Sequence, residues 1–118
     1  MKQAGDVALT PFPYTDLSGA KLRPVLLLQE APGGNDDWLV CMISTQLHQA
    51  VAGFDELLQA EDDDYVSSGL KSPSVLRLSR LALLHGSLMP GAIGRIGMSR
   101  LHRVRCRIAE WVSGGGHS

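Results

Sequence analysis

Two short apolar runs constrain the fold of this chain more than any other feature. Residues 23–29 read RPVLLLQ and residues 38–44 read WLVCMIS. Continuous apolar runs of this length are typical of strands that are buried on both faces. The segment between them, APGGNDD at 31–37, is rich in residues that favour tight turns. The sequence therefore predicts a β-sheet that contains a hairpin.

Other segments predict further strands. Residues 6–13 alternate between two sets of side chains and end in the prolines of PFP, and the first half of residues 74–84 alternates as well. Residues 54–60 fit either a short strand or one helical turn. The segments predicted as loops or connections are 14–20, 45–53, 61–71 and 85–97, the last of which includes GAIGRIG at 91–97, interpreted as a turn.

One helix is predicted near the end of the chain, over residues 99–112. Ser99 is a plausible N-cap, and Gly114 can end the helix. The apolar residues that recur at helical spacing are Leu101, Val104, Ile108 and Trp111. Strands at short spacing followed by one terminal helix favour a mainly β, α+β fold, a small barrel or curled sheet with a C-terminal helix. We expect a single domain over residues 1–113 and a disordered tail over 114–118.

Length and composition limit the class of protein. A chain of 118 residues with 44% hydrophobic and 19% charged residues fits one globular domain and argues against a largely disordered chain. No apolar run approaches the roughly 18 residues needed to span a bilayer, and the start does not resemble a secretory signal. The two cysteines, Cys41 and Cys106, form no CxxC pair, so a disulfide framework and a thiolate zinc site lose support. A reducing, cytoplasmic setting is expected.

Charge is distributed unevenly, although the formal net charge is only -1. Residues 30–64 contain acids but no Lys or Arg, whereas residues 65–109 contain bases but no acid. Such a split predicts a basic face that attracts phosphates or an acidic partner, or else internal pairing of the two regions or simple solvation of both. Within the predicted helix, Arg100, Arg103 and Arg107 form one stripe, a candidate contact for phosphates or for an acidic segment.

Most motifs of known chemistry are missing from the sequence. The 4 histidines show no ligand spacing, and no GxSxG, Walker or dinucleotide motif occurs. The acidic run 61–64 lacks the interleaved spacing of a calcium loop, so we interpret it as a solvated loop. No metal and no cofactor are therefore expected.

Arg23 and Ser44 are the residues best placed to carry chemistry. Arg23 precedes Pro24, which favours an extended backbone, and it lies where a polar loop enters an apolar strand. A permanently charged, bidentate group is thus expected at the rim of the core. These local features alone favour a structural role for Arg23, a rim salt bridge, for instance to Asp16, over a functional one. Ser44 ends the second apolar run, so Arg23 and Ser44 converge at one end of the sheet if the two strands pair.

Several segments together resemble the PemK/MazF family of bacterial toxins from toxin–antitoxin systems. They are GDVALTPFPYTDLSGAKLRPVLLL at 5–28, WLVCMISTQ at 38–46, SGLKSPSVLRLSRL at 68–81, and the terminal helix. The resemblance implies an SH3-like barrel with a C-terminal helix that forms a homodimer. It also implies a metal-independent endoribonuclease that cuts single-stranded RNA at short sequences and is neutralised by a cognate antitoxin.

The resemblance also assigns roles to individual residues. It implies that Arg23, in the RP motif, and Ser44, where many relatives have Thr, are catalytic. The residues it implies for substrate binding are Phe12, Asp16, Ser18, Lys21, Thr45, Gln46 and Arg77, of which Asp16, Ser18 and Lys21 lie in the gating loop at 14–22. Ser18 and Ser79 stand where relatives carry acids, so the general acid and base are unassigned.

Two other functions fit the same resemblance. A related branch of this fold poisons DNA gyrase by contact alone, and a degenerate toxin would bind only its antitoxin. The presence of both Arg23 and Ser44 favours RNA cleavage, because a module that acts only by binding protein does not need this pair.

Overall fold

The computed structural model describes residues 1–11 and 21–114. Six strands occur in this part of the chain: β1 (Asp6–Pro11), β2 (Leu22–Glu30), β3 (Asp37–Ser44), β4 (Glu56–Leu58), β5 (Ser74–His85) and β6 (Ala92–Arg95). They form one sheet in the order β4-β5-β3-β2-β1-β6, and every pair of neighbours is antiparallel. The strands predicted at 23–29 and 38–44 are confirmed as a hairpin, β2 and β3.

The helices of the described residues are α1 (Tyr65–Ser68) and α2 (Met98–Ser113), with short 3₁₀ helices at Leu47–Gln49 and Gly86–Leu88. No helix among the described residues is long and apolar enough to cross a membrane. Phe12, Pro13 and residues 115–118, which complete the predicted first strand and the predicted tail, lie outside the described residues.

Strand β2 is buried on both faces, as its apolar run predicts. Leu26 and Leu28 belong to a core that α2 covers. Val25 and Leu27 point to the opposite face and join a second core with Trp38. Continuous apolar sequence is required here because both faces of the strand are removed from water.

A bulge in β5 curls the sheet into a half-barrel, and α2 packs against one face of that sheet. Cys41 pairs with Leu81, but the next residue, Met42, pairs with Arg77, so three residues of β5 are left over at the shift. Extra residues on one strand bend that strand and increase its twist. The curled sheet and the C-terminal helix are thus confirmed.

Helix α2 departs from the sequence prediction at its first turn. Ser99 is not the N-cap: Gly97 occupies that position, with no side-chain hydrogen bond, and the helix begins at Met98. The Gly97 N–H is instead bound by the Asp64 carboxylate at 2.9 Å, a contact from a distant segment that local sequence does not reveal. Gly114 ends the helix in the left-handed conformation, as predicted.

Three segments predicted as loops or connections contain regular structure, and the first, 45–53, contains the 3₁₀ helix Leu47–Gln49. GAIGRIG at 91–97 is not a turn, because Ala92–Arg95 forms β6 at the sheet edge, paired with β1. Gly94 is required there, since a Cβ would collide with the backbone of Ser67 and Ser68 as α1 packs across the strand. The segment at 61–71 contains α1, and the ambiguous segment at 54–60 forms the strand β4.

The arginine stripe of α2 is not a free basic face. Arg100 is buried and contacts Asp62 and Asp64, so these two acids are not simply solvated, whereas Glu61 and Asp63 are exposed as the interpretation of residues 61–64 as a solvated loop predicts. Arg103 and Arg107 both lie within 3.2 Å of the Glu56 carboxylate. The acidic and basic regions therefore pair internally.

Candidate functional site

A cavity of about 880 Å³ opens where β2, β3 and β5 lie side by side. Six of the nine predicted site residues line it: Lys21, Arg23, Ser44, Thr45, Gln46 and Arg77. The other three, Phe12, Asp16 and Ser18, lie outside the described residues. Gln49 and Lys71 also line the cavity and were not predicted, although Lys71 falls within the SGLKSPS segment that carries the family resemblance.

Strand pairing brings Arg23 and Ser44 to the same end of the sheet. Val25 pairs with Met42, and the same antiparallel register carried two residues further places Arg23 opposite Ser44. Arg23 is solvent exposed and Ser44 is half-buried. A bidentate guanidinium and a hydroxyl therefore share one wall of the cavity, as their positions at the ends of two apolar runs predict.

The turn after β3 is held by the Ser44 side chain. Its Oγ accepts a hydrogen bond from the Gln46 backbone N–H at 3.0 Å. The hydroxyl proton of Ser44 is not used in that bond, so it can be donated to a ligand. Thr45 and Gln46 follow directly and are exposed to the cavity.

Arg77 is fixed between two partners. Its Nη1 donates to Gln49 Oε1 at 2.8 Å, and its Nε lies 3.8 Å from Asp55 Oδ2. The Asp55 side chain is fully buried and accepts hydrogen bonds from the backbone N–H groups of Val51 and Leu78. This carboxylate is therefore a rigid anchor for a cationic cavity residue.

The opposite wall comes from the segment after α1. Gly69 adopts φ 75°, and a Cβ at this position would collide with the backbone of Ile93. Glycine thus allows the chain to pass close over β6, which carries Leu70 and Lys71 to the cavity.

The cavity is cationic. Lys21, Arg23, Lys71 and Arg77 contribute positive charge, and none of its described lining residues is Asp, Glu or His. Such a lining attracts anions such as phosphates. The described lining supplies no side chain with an ordinary pKa near neutrality, so the general acid and base stay unassigned.

Neither cysteine lines the cavity. Cys41 is buried in the core, where burial, and to a lesser extent the charge of Asp55, raises the pKa of its thiol. Cys106 is exposed on α2. Among the residues that the structure describes, no cluster of three or more His, Cys, Asp or Glu side chains is arranged to hold a metal ion.

A family model described as a PemK-like, MazF-like toxin of type II toxin–antitoxin systems matches residues 3–112. The match spans nearly the whole chain. The protein therefore belongs to this family and is a type II toxin by descent. No match is found among curated proteins.

Solved structures share the fold. An endoribonuclease in complex with its cognate antitoxin, from a mycobacterial species, is 13% identical, with a TM-score of 0.68 over 96% of both chains. MazF in a MazE–MazF complex from Deinococcus radiodurans is 18% identical, with a TM-score of 0.68 over 95% of this chain and 96% of that one. The toxin MazF-mt6 from Mycobacterium tuberculosis is 18% identical, with a TM-score of 0.59 over 93% and 94%. The half-barrel with a C-terminal helix is thus the fold of these toxins.

Proposed function

We propose that this protein is an endoribonuclease toxin that cuts single-stranded RNA at short specific sequences in the cytoplasm, without a metal ion. The observation that carries the proposal is the joint placement of Arg23 and Ser44 on the wall of a cationic cavity. Family membership supports the proposal. A solved structure of the same fold is described as an endoribonuclease, which supports it as well.

The proposed reaction is an internal displacement at phosphorus. The ribose 2′-oxygen attacks the adjacent phosphate, the bond to the 5′-oxygen breaks, and a 2′,3′-cyclic phosphate and a 5′-hydroxyl result. The 2′-hydroxyl loses a proton and the leaving oxygen gains one. Negative charge that accumulates on the phosphate oxygens needs fixed donors.

Arg23 is suited to stabilise the negative charge of the phosphate, but not to transfer a proton. Its guanidinium presents paired N–H donors to two phosphate oxygens, but it remains protonated and so cannot serve as a general base. Ser44 can orient the phosphate through its free hydroxyl proton while its oxygen holds the Gln46 N–H. The groups that remove and donate the two protons therefore stay unassigned.

Lys21 and Lys71 are proposed to hold flanking phosphates. Both are exposed and line the cavity. Lysine ammonium groups act as mobile point charges, and contacts of this kind set the register of a nucleic acid without reading its sequence.

We also propose that the protein binds a cognate antitoxin and that two copies of the chain form a homodimer. Two solved structures of the same fold, an endoribonuclease with its cognate antitoxin and a MazE–MazF complex, support the antitoxin. An acidic antitoxin segment would also complement the charge of the cationic cavity. Sedimentation at micromolar concentration should show a dimer, and a monomer alone would contradict that part of the proposal.

The decisive experiment is incubation of the purified protein with RNA of mixed sequence in excess EDTA. We expect cleavage with 2′,3′-cyclic phosphate ends at a short consensus, found by sequencing the cut ends. The Arg23→Ala variant serves as the matched control for a contaminating nuclease. A folded protein that leaves RNA intact, or that cuts only with a divalent metal, would contradict the proposal and favour action by protein binding.

A further inference from the structure

A relay of three side chains fixes the orientation of Gln49 at the cavity. The relay starts at Asp55, whose carboxylate is fully buried and held by two backbone N–H groups at 2.8 and 2.9 Å. Arg77 Nε lies 3.8 Å from this carboxylate, and the contact is an ion pair without a hydrogen bond. Arg77 Nη1 in turn donates to Gln49 Oε1 at 2.8 Å.

The chemistry of arginine settles which way the Gln49 amide points. Amide oxygen and nitrogen are ordinarily assigned from their hydrogen-bond partners. Arginine has donors and no acceptor, so the atom of Gln49 that meets Arg77 must be the oxygen. The Gln49 Nε2 group is left with its two donors, and no side chain or backbone oxygen within the described ranges accepts from it. Gln49 is exposed and lines the cavity.

We infer that Gln49 is a specificity-determining residue that selects a keto base, uracil or guanine, at one position of the RNA. The inference rests on the proposed RNA-cleaving function. Uracil O4 and guanine O6 are acceptors, whereas cytosine N4 and adenine N6 are donors at the equivalent ring position. A donor fixed at Nε2 can therefore form a hydrogen bond with uracil O4 or guanine O6. Against cytosine N4 or adenine N6 it would face another donor and form none. Bases of single-stranded RNA can be splayed out and read at these edges.

Gln49 fits this role better than the cationic residues around it. Lys21 and Lys71 carry mobile point charges that suit phosphates. Gln49 is neutral, and its amide is held through Arg77 by a buried anchor. A fixed donor discriminates between bases because the wrong base leaves a polar group without a partner.

Three variants test the inference. In Gln49→Glu, one carboxylate oxygen keeps the contact with Arg77 and the other can only accept, so the preference should invert toward cytosine or adenine. Gln49→Ala should lose the preference at that position. His48→Glu adds the same charge to the adjacent residue of the same 3₁₀ helix, outside the cavity lining, and controls for charge alone.

Two measurements separate this inference from the proposed function. One is the sequence of cut ends from a random RNA pool. The other is the sequence of molecules bound from a pool in which every 2′-hydroxyl is methylated, so that no internal attack can occur. In both we expect a keto preference of about tenfold at one position, inverted in Gln49→Glu, flattened in Gln49→Ala and retained in His48→Glu. Circular dichroism confirms folding, and Gln49→Ala keeps the test available if the Glu variant fails to fold.

The outcomes have distinct meanings. Unchanged base preferences in both Gln49 variants, the absence of a keto preference in the parent, or an equal shift in His48→Glu would overturn the inference while cleavage still stood. Keto preference and its inversion in the bound pool, without any cleavage, would support the inference and overturn the proposed activity. A protein that binds no RNA would overturn both.

Discussion

Arg100 Nη1 lies 2.9 Å from Glu56 Oε1 and joins α2 to β4. The same guanidinium lies 3.2 Å from Asp62 and 2.8 Å from Asp64, and Arg100 is only 8% exposed. Three carboxylates on the segment at 56–64 thus converge on one buried cation. The uneven distribution of charge along the sequence therefore stabilises the contact between the C-terminal helix and the sheet.

Removing Glu56 should destabilise the fold. Its carboxylate contacts Arg100, Arg103 and Arg107, with distances of 2.9 to 3.2 Å. Glu56→Ala removes one of the three carboxylates around the buried Arg100 and the carboxylate partner of Arg103 and Arg107, and loss of a partly buried charge partner of this kind costs up to about 3 kcal/mol in the free energy of unfolding. Urea denaturation followed by circular dichroism measures the loss. Glu110→Ala removes an exposed acid from α2 and should change stability by less than about 0.5 kcal/mol. Equal stability of the two variants would contradict this role for Glu56.

The same cluster should make stability fall in acid. Burial raises the pKa of Glu56, but the Arg103 hydrogen bond and the charges of the three arginines outweigh it and hold the pKa below 4.5. Burial likewise raises the pKa of Asp64, and the Arg100 and Gly97 hydrogen bonds hold it below 3.8. Since both folded pKa values lie below the unfolded ones, their contribution is complete above the unfolded values and is lost as the pH falls through the folded values.

Urea unfolding at a series of pH values measures this dependence. The free energy of unfolding should change little from about pH 7 to about pH 5 and decline below about pH 4.5. Glu56→Gln should decline less steeply, because one of the two carboxyls no longer titrates. Parallel declines for the parent and the variant would show that other groups cause the acid loss.

The strands of the sheet could be predicted where burial requires a continuous run of apolar residues. The runs at 23–29 and 38–44 are apolar because both faces of β2 and β3 lie in a core. Arg23 and Ser44 could be predicted to meet for a related reason, since each stands where such a run begins or ends. A strand can be predicted from its own sequence when its burial requires apolar residues along its whole length.

The missed features depend on contacts between distant segments. β6 forms among glycines because Gly94 lies against the backbone at Ser67 and Ser68, and no periodicity in GAIGRIG signals this. The partners of Arg100 lie 36 to 44 residues earlier in the chain, so the helix alone shows only a basic stripe. Gln49 owes its orientation to Arg77, 28 residues away.

Arg23→Ala should remove RNA cleavage while leaving the fold intact. Arg23 is exposed at the sheet end, outside both cores, so stability should hardly change. Loss of one charge contact to the transition state typically costs about 10²- to 10³-fold in rate. Arg23→Lys should also lose most activity, because an ammonium cannot make the planar two-point contact. Single-turnover cutting of a labelled RNA gives the rates, with circular dichroism as the folding control. Full activity in folded Arg23→Ala would remove Arg23 from the proposed mechanism.

Ser44→Ala should slow cleavage less than Arg23→Ala does. The change removes both the donor offered to phosphate and the acceptor of the Gln46 N–H. Ser44→Thr keeps both groups and should retain activity near that of the parent. The same single-turnover assay distinguishes the two variants. An inactive, folded Ser44→Thr would indicate that the added methyl group blocks the cavity and that Ser44 has no catalytic equivalence to Thr.

Lys71→Ala should weaken RNA binding in a way that depends on salt and not on sequence. Lys71 is exposed and lines the cavity, on the wall that Gly69 brings over β6. Neutralising one phosphate of a single strand releases counterions and contributes about 0.7 to the slope of log affinity against log salt concentration. The variant should therefore lose about that much slope, by a similar amount for oligonucleotides of different sequence.

Fluorescence anisotropy of labelled single-stranded RNA between about 50 and about 200 mM salt measures the slope. Lys2→Ala is the matched control, because it removes the same charge from a residue that does not line the cavity. If Lys2→Ala lowers the slope as much as Lys71→Ala does, RNA responds to the overall charge of the protein. A larger effect from Lys71 than from Lys2 indicates that a flanking phosphate binds in the cavity beside Lys71, as proposed.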